Sequence, residues 1–326
     1  MLDPFQLVHT IIADRYLVEE VVGEGGFSIV YRATHLVWKR AVAIKVFNAK
    51  GVVSTAEREV LGSAFVREGA LLSELSEHST AICQARDTAT HVTASGEPVL
   101  YMVLEWLAGE SLETVLLRER EGHVPPRSMG EVVRLFEPVV EGLAYAHRRN
   151  IAHRDVKPAN LFVIGDPRSE TCSLKLLDFG IANVRADDPR PSLNGEGTST
   201  FTPAYGAPEQ FAPLYGPTGP WTDVFALGLL IVELVTGKSA LSGASIRELG
   251  TQSTNAARRP TPRALGTTVS DAVELVLATA LAVEPIDRFL SAGEFWSALD
   301  EARRAPSAAN YFWPASSSVL RGSRGR

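Results

Sequence analysis

The chain has 326 residues, 45% of them hydrophobic and 21% charged, with a formal net charge of -6. That length buries one large core or two lobes with a core each, and a mildly acidic chain is not steered toward nucleic acid or an anionic membrane by its overall field. Its two cysteines, Cys83 and Cys172, lie far apart and form no CxxC, so neither a disulfide framework nor a cysteine metal site is expected and a reducing, cytoplasmic setting fits.

Residues 1–14 carry an early Asp3 and no basic start, unlike a secretory signal, and are read as an N-terminal extension. Short runs rich in Val, Ile and Tyr follow at 16–22, 29–33 and 42–47, separated by Gly or charged turns, and predict strands. Over 57–75 the period changes: Phe65, Glu68, Leu72 and Leu75 recur at three and four residues, as on one helix face. Residues 98–106 return to strand character, and from about Ser111 helical patterns dominate, at 131–148, 224–236, 270–283 and 291–303. Strands with one helix, then mostly helices, predict an α+β chain of two unequal lobes with a hinge near Trp106 to Gly109. The polar stretch 187–202 reads as a loop, and the Ala/Ser/Arg-rich tail 303–326 as disordered. The most apolar run, 224–235, is interrupted by Glu233 and falls well short of the roughly 20 residues that span a bilayer. It predicts a buried core helix, and no membrane span is expected. Both cysteines are expected to be small buried apolar residues.

Several segments carry chemistry. Gly23-Glu24-Gly25-Gly26-Phe27-Ser28 lies between two predicted strands, where glycines let backbone N–H groups approach a phosphate. Alone it is weak, since Gly-rich hairpins are common. It is followed by no helix and has no Gly-Lys-Ser/Thr ending, which argues against a dinucleotide fold and a P-loop. Lys45, in Val42-Ala43-Ile44-Lys45, would as an isolated lysine simply snorkel to solvent. One strand beyond a Gly loop, its ammonium can reach α- and β-phosphates. Glu68 on the following helix is the carboxylate candidate to fix it, while Glu57, Glu59 and Glu74 read as solvated. His153-Arg154-Asp155-Val156-Lys157-Pro158-Ala159-Asn160 packs basic, acidic and amide groups between a helix and a strand, and Asp178-Phe179-Gly180 follows the next strand. A lone Asp-Phe-Gly is usually a turn.

Together and in this order, the motifs resemble the signature set of eukaryotic-type serine/threonine protein kinases, over about 15–302. The resemblance implies a bilobal kinase fold, with an N-lobe at about 15–105 and a C-lobe at about 109–302. It implies ATP and Mg²⁺ as the nucleotide and metal, and protein Ser/Thr hydroxyls as acceptors. Gly23, Glu24, Gly25, Gly26, Val30, Ala43 and Leu161 would enclose the nucleotide, with the backbone of Glu105 and Leu107 on adenine and Leu104 at the back of that pocket. Lys45 would hold the α/β-phosphates and pair with Glu68; Asp155 would orient the acceptor hydroxyl and take its proton; Lys157 would contact the γ-phosphate; Asn160 and Asp178 would hold Mg²⁺. Glu209 in Ala207-Pro208-Glu209 resembles the family's buried glutamate and Arg288 its ion-pair partner, while Asp223 would cap the 224–236 helix and brace the catalytic loop.

Thr202 and Lys157 resemble the Ser/Thr class rather than the tyrosine class. Arg154 before Asp155 resembles kinases whose arginine binds a phosphorylated loop, and Thr198, with Ser199 and Thr200 as competitors, is the expected autophosphorylation site. Two positions depart from the family pattern: Ser28 replaces the third glycine, and Phe201 stands where glycine commonly precedes the threonine. Two rival readings are a pseudokinase scaffold, whose mark would be loss of Lys45, Asp155 or Asp178, and a small-molecule kinase, which would lack the Ala-Pro-Glu segment and Thr202 loop. The wording of several segments is similar to the bacterial branch, whose members often dimerise through the N-lobe, so a homodimer is a further expectation.

Overall fold

The computed structural model describes residues 2–49, 52, 54–179 and 201–305. Ile11–Ile12 (β1), Tyr16–Gly25 (β2), Ser28–His35 (β3), Arg40–Phe47 (β4), Ala85–Val92 (β5) and Pro98–Glu105 (β6) form one antiparallel sheet in the order β1-β2-β3-β4-β6-β5. The Gly25↔Ser28 and His35↔Arg40 pairings close the β2–β3 and β3–β4 hairpins. Gly109–Ser111 (β7), Leu161–Ile164 (β8) and Ser173–Leu176 (β9) make a second, three-stranded sheet. A methyl added at Gly109 would sit 1.9 Å from the Val163 carbonyl oxygen, so the chain can turn out of the hinge and pair with β8 only without a side chain there.

The long helix between β4 and β5, Thr55–Ser76 (α1), starts at Ser54, whose hydroxyl accepts from the Glu57 backbone. Its apolar stripe of Phe65, Leu72 and Leu75 is buried and carries Glu68 inward on the same face. The C-terminal part holds Leu112–Glu121 (α2), Met129–Arg148 (α3), Pro208–Phe211 (α4), Pro220–Thr236 (α5), Ile246–Ser253 (α6), Asp271–Ala280 (α7) and Ala292–Arg304 (α8). Nearly every residue of α5 is buried, Glu233 included, as its long apolar run predicts. No helix among the described residues is long and apolar enough to cross a membrane.

Two cores result. One joins α1, the inner face of β4 and β6, and the C-terminal helices; the other covers the opposite face of the large sheet. Phe5, Leu7 and Ile12 belong to the second, and Asp3 accepts from the Tyr31 hydroxyl at 2.8 Å. Within the stretch read as an extension, residues 2–14 thus lay an apolar cover and an edge strand on the N-lobe sheet.

Two further expectations shift. Asp223 is not the cap of α5: the helix begins at Pro220 after Gly219, and Asp223 lies buried inside its first turn. Cys83 is buried and its thiol is pushed up to about 12 by burial, whereas Cys172 is only half-buried. Glu74 is solvated as expected, in an exposed pair with Arg149. Thr198, Ser199, Thr200, Gly180 and the tail from 306 lie outside the described residues.

Candidate active site

The cleft lies between the two sheets. From the N-lobe side, β4 delivers Lys45 and α1 delivers Glu68; from below, the segment after β9 delivers Asp178. Lys45 Nζ is 2.8 Å from Glu68 Oε1 and 2.8 Å from Asp178 Oδ1. Burial works to lower the Lys45 pKa, but the carboxylates of Asp178 and Glu68 outweigh it and hold the ammonium above its ordinary range. One ammonium cannot neutralise two carboxylates equally. Desolvation pushes Asp178 up, yet Lys45, His153 and Lys157 hold it below its ordinary value. Glu68 is more deeply buried and faces the Asp178 charge, so burial dominates and pushes it up to about 7. The cluster therefore holds a surplus of negative charge on the side where Asp178 is 43% exposed.

The catalytic-loop segment is held from beneath by α5. Asp223 accepts from the backbone of His153 (2.7 Å) and Arg154 (2.7 Å) and from His147 Nε2 (2.9 Å). Both imidazoles have their tautomer fixed by a backbone donor on Nδ1: Ala292 N for His147 (3.0 Å) and Asp155 N for His153 (3.3 Å). Each Nε2–H is thus a donor, that of His153 going to the Leu177 carbonyl at 2.9 Å. Burial would raise the Asp223 pKa, but these donors hold it below the usual value. The same contacts pin Arg154 at φ 64, and Asp178 stands at φ 35, so two non-glycine residues in the left-handed region flank the cleft. The His153 ring also packs on Phe179, centroids 4.9 Å apart.

Above this support, Asp155 Oδ2 accepts from Lys157 Nζ (2.8 Å) and from Asn160 Nδ2 (3.1 Å). Asn160 Nδ2 also donates to the Asp155 carbonyl at 2.8 Å, which leaves its amide oxygen available. Lys157 Nζ donates to Thr202 Oγ1 at 2.6 Å, and the Thr202 backbone donates to Asp155 Oδ1 at 3.3 Å. Phe201 packs edge-on against Phe211, centroids 5.0 Å apart, and roofs Gly206, where a methyl would meet its ring at 2.4 Å. The Phe201 departure is thus met by a glycine further along the same loop.

Val30, Ala43 and Leu161 lie on the strands that floor and roof the cleft, Ala43 and Leu161 buried in the main core and Val30 packed on it. Gly23, Glu24, Gly25 and Gly26 form the β2–β3 hairpin, with Ser28 opposite Gly25 and no atom within 4 Å of a methyl added at Gly26. Leu104 is buried at the end of β6, and Glu105 and Leu107 enter the hinge.

A model of the protein kinase domain matches residues 16–295. The chain belongs to the protein kinase family. Curated relatives include the serine/threonine-protein kinase pkn3 of Myxococcus xanthus, 33% identical over 98% of this chain. PknL of Mycobacterium tuberculosis is 31% identical over 89%, and PknB of the same species 31% identical over 87%. This kinase chain spans 56%, 65% and 42% of those three relatives. The crystal structure of the M. tuberculosis PknI kinase domain superposes with a TM-score of 0.62 at 23% identity, covering 90% of this chain and 98% of that one.

Four features of the kinase cleft were not singled out from sequence as parts of the site. Glu233, buried on α5, accepts from Tyr205 Oη at 2.6 Å and pairs with Arg120 of α2. Burial pushes its carboxyl up, against the pull of both partners. Tyr205 belongs to the Thr202 loop, so α5 anchors that loop as well as the catalytic one. The fourth feature is Lys175, paired with Glu105. The expected Glu209–Arg288 pair is bidentate, 2.9 Å on each arm and fully buried, with Thr222 Oγ1 donating to Glu209 at 2.7 Å.

Proposed function

We propose that this chain is an ATP- and Mg²⁺-dependent protein kinase that phosphorylates serine or threonine. One observation carries the reading: Asp155, Lys157 and the Thr202 loop converge within 3.3 Å on one side of the cleft, facing the fixed Lys45–Glu68 pair on the other. The named relatives are serine/threonine kinases, which supports the acceptor class.

Phosphoryl transfer passes through a loose transition state, so the protein mainly positions groups and stabilises charge. Lys45, held by Glu68, lies ready for the α/β-phosphates of ATP, with the hairpin of Gly23, Glu24, Gly25 and Gly26 above them. Val30, Ala43 and Leu161 sandwich adenine, and the backbone of Glu105 and Leu107 reads its edge. Asp155 accepts the proton of a substrate hydroxyl held where Thr202 now approaches, and Lys157 turns to the γ-phosphate. Asn160 with its available amide oxygen and the partly exposed Asp178 are hard oxygen donors and fit Mg²⁺. Bound there, the ion would neutralise charge on the phosphate oxygens.

Lys45, Asp155 and Asp178 are all present, which disfavours the scaffold reading. The Ala207-Pro208-Glu209 segment and the Thr202 loop favour protein over small-molecule acceptors. The test is phosphoamino-acid analysis after incubation with Mg-ATP, on the chain itself and on a generic protein. Phosphoserine or phosphothreonine is expected, including at Thr198, Ser199 or Thr200. ATP consumed only with a metabolite, and no protein labelled, would assign a different substrate class.

A further inference from the structure

The polypeptide crosses between the lobes at residues 106–108, between the end of β6 and the start of β7. Its N-lobe end, Glu105, is tied three ways. Its backbone N donates to the Gln84 carbonyl at 3.0 Å, and its carboxylate Oε1 accepts from Gln84 N at 2.9 Å and from Lys175 Nζ at 2.5 Å. The lysine and glutamate side chains are only 18% and 19% exposed, which sets this pair apart from the solvent-screened ion pairs elsewhere on the chain.

Lys175 comes from the other lobe. It sits on β9, three residues before Asp178, and β9 is stitched to the segment that leads into β5: Leu176 N donates to Ala81 O at 2.7 Å and Cys83 N to Leu176 O at 2.9 Å. Residue 106 is held from the opposite side, with the Arg32 guanidinium of β3 over the Trp106 ring at 5.4 Å. Adjacent hinge residues are thus gripped by opposite lobes: Glu105 by the strand that delivers Asp178, Trp106 by the sheet that delivers Lys45.

We infer that Lys175 is a positioning residue, and that its ion pair with Glu105 is a latch restraining lobe opening and with it nucleotide exchange. This rests on the proposed reading of residues 104–107 as the adenine-binding hinge. Rotation of one lobe about 106–108 swings Glu105 against β9 and must stretch or break the pair. Release of ADP requires opening, so the strength of the latch enters the release rate.

The test follows fluorescent ADP displaced from the chain by rapid mixing, for the wild type and for Lys175→Met, Glu105→Gln and the double variant. Each single change is expected to speed release about tenfold, the scale of one charge-assisted bond. The double variant should release no faster than either single, because both remove the same latch. Lys175→Arg keeps the cation and should return release to near the wild-type rate. Unchanged release in both singles, with only a lowered melting temperature, would make the pair a structural contact and overturn the inference. A wild type that binds no nucleotide would overturn the hinge reading and the latch together. Nucleotide bound normally, with release insensitive to residue 175, would overturn the latch alone.

Discussion

On the C-lobe side of the cleft, Asp223 is matched by three N–H donors and Glu209 by a two-armed guanidinium, both away from water. On the N-lobe side, one ammonium on Lys45 serves two carboxylates, one of them partly open to solvent. Fully satisfied buried networks have one arrangement and resist change, whereas an unbalanced one responds to whatever charge arrives. The catalytic loop is therefore built in advance. The phosphate side is poised to be completed by nucleotide and metal.

The largest effect is expected where the closed network loses a member. Glu209→Ala leaves Arg288 buried and unpaired and is expected to destabilise the fold by about 3–5 kcal/mol, read as a loss of denaturation midpoint. A cost below about 1 kcal/mol would mean that the pair behaves like a surface contact. Asp223→Asn keeps the shape but removes charge and one acceptor from the backbone of 153–154. The turnover number should fall about 100-fold through misplacement of Asp155, with nucleotide affinity unchanged. Equal losses in both would show that the two halves are not separable.

These two residues also mark how far the sequence could be read. The Glu209–Arg288 partnership was legible only through the resemblance to the kinase family, since the two residues lie 79 positions apart. The role of Asp223 was legible only in part, because Pro220 at the first helical position moved the start of α5 upstream. The strand β5 was not predicted: Arg86, Asp87 and Thr88 put polar groups on both faces, and only pairing to β6 fixes it. Phe5 and Leu7 looked like part of an unremarkable extension, since their burial depends on a sheet formed by later residues. Lys45 and Glu68 meet across β4 and α1, and Asp155, Lys157 and Asn160 meet within one short loop, because each of those motifs sits on or beside a single regular element. Lys175 and Tyr205 did not stand out, and Glu233 showed only as a break in an apolar run, since long-range packing makes their partnerships and no short spacing announces them.

The unbalanced side is sharpened by pH. With Glu68 titrating at about 7, acid below that value neutralises it and frees Lys45 from one anchor. The kcat/KM for ATP should fall as pH drops through about 7, and Glu68→Gln should be uniformly low with that acid limb gone. The stability signs are opposite for the two carboxylates. Glu68, raised above its ordinary 4.5, costs stability progressively as pH rises from 4.5 to about 7. Asp178, held low, adds stability that is lost as pH falls through its depressed value. A pH profile identical in wild type and Glu68→Gln would remove the carboxylate from that account.

The smallest effect is expected at the Thr202 loop. Tyr205→Phe removes one hydrogen bond, worth about 1 kcal/mol, and should raise KM for a protein substrate about fivefold while KM for ATP holds. A rise in both would place Tyr205 in general stability instead of loop positioning.

The most direct measurement of the central claim is transfer of labelled phosphate from Mg-ATP by the wild type beside Asp155→Asn, with nucleotide affinity measured on both. The wild type is expected to label itself or a generic protein on serine or threonine. Asp155→Asn should bind nucleotide equally well and transfer about 10³-fold more slowly. Equal transfer by both would contradict the assigned role of Asp155, and nucleotide binding without transfer by either would make the chain a scaffold.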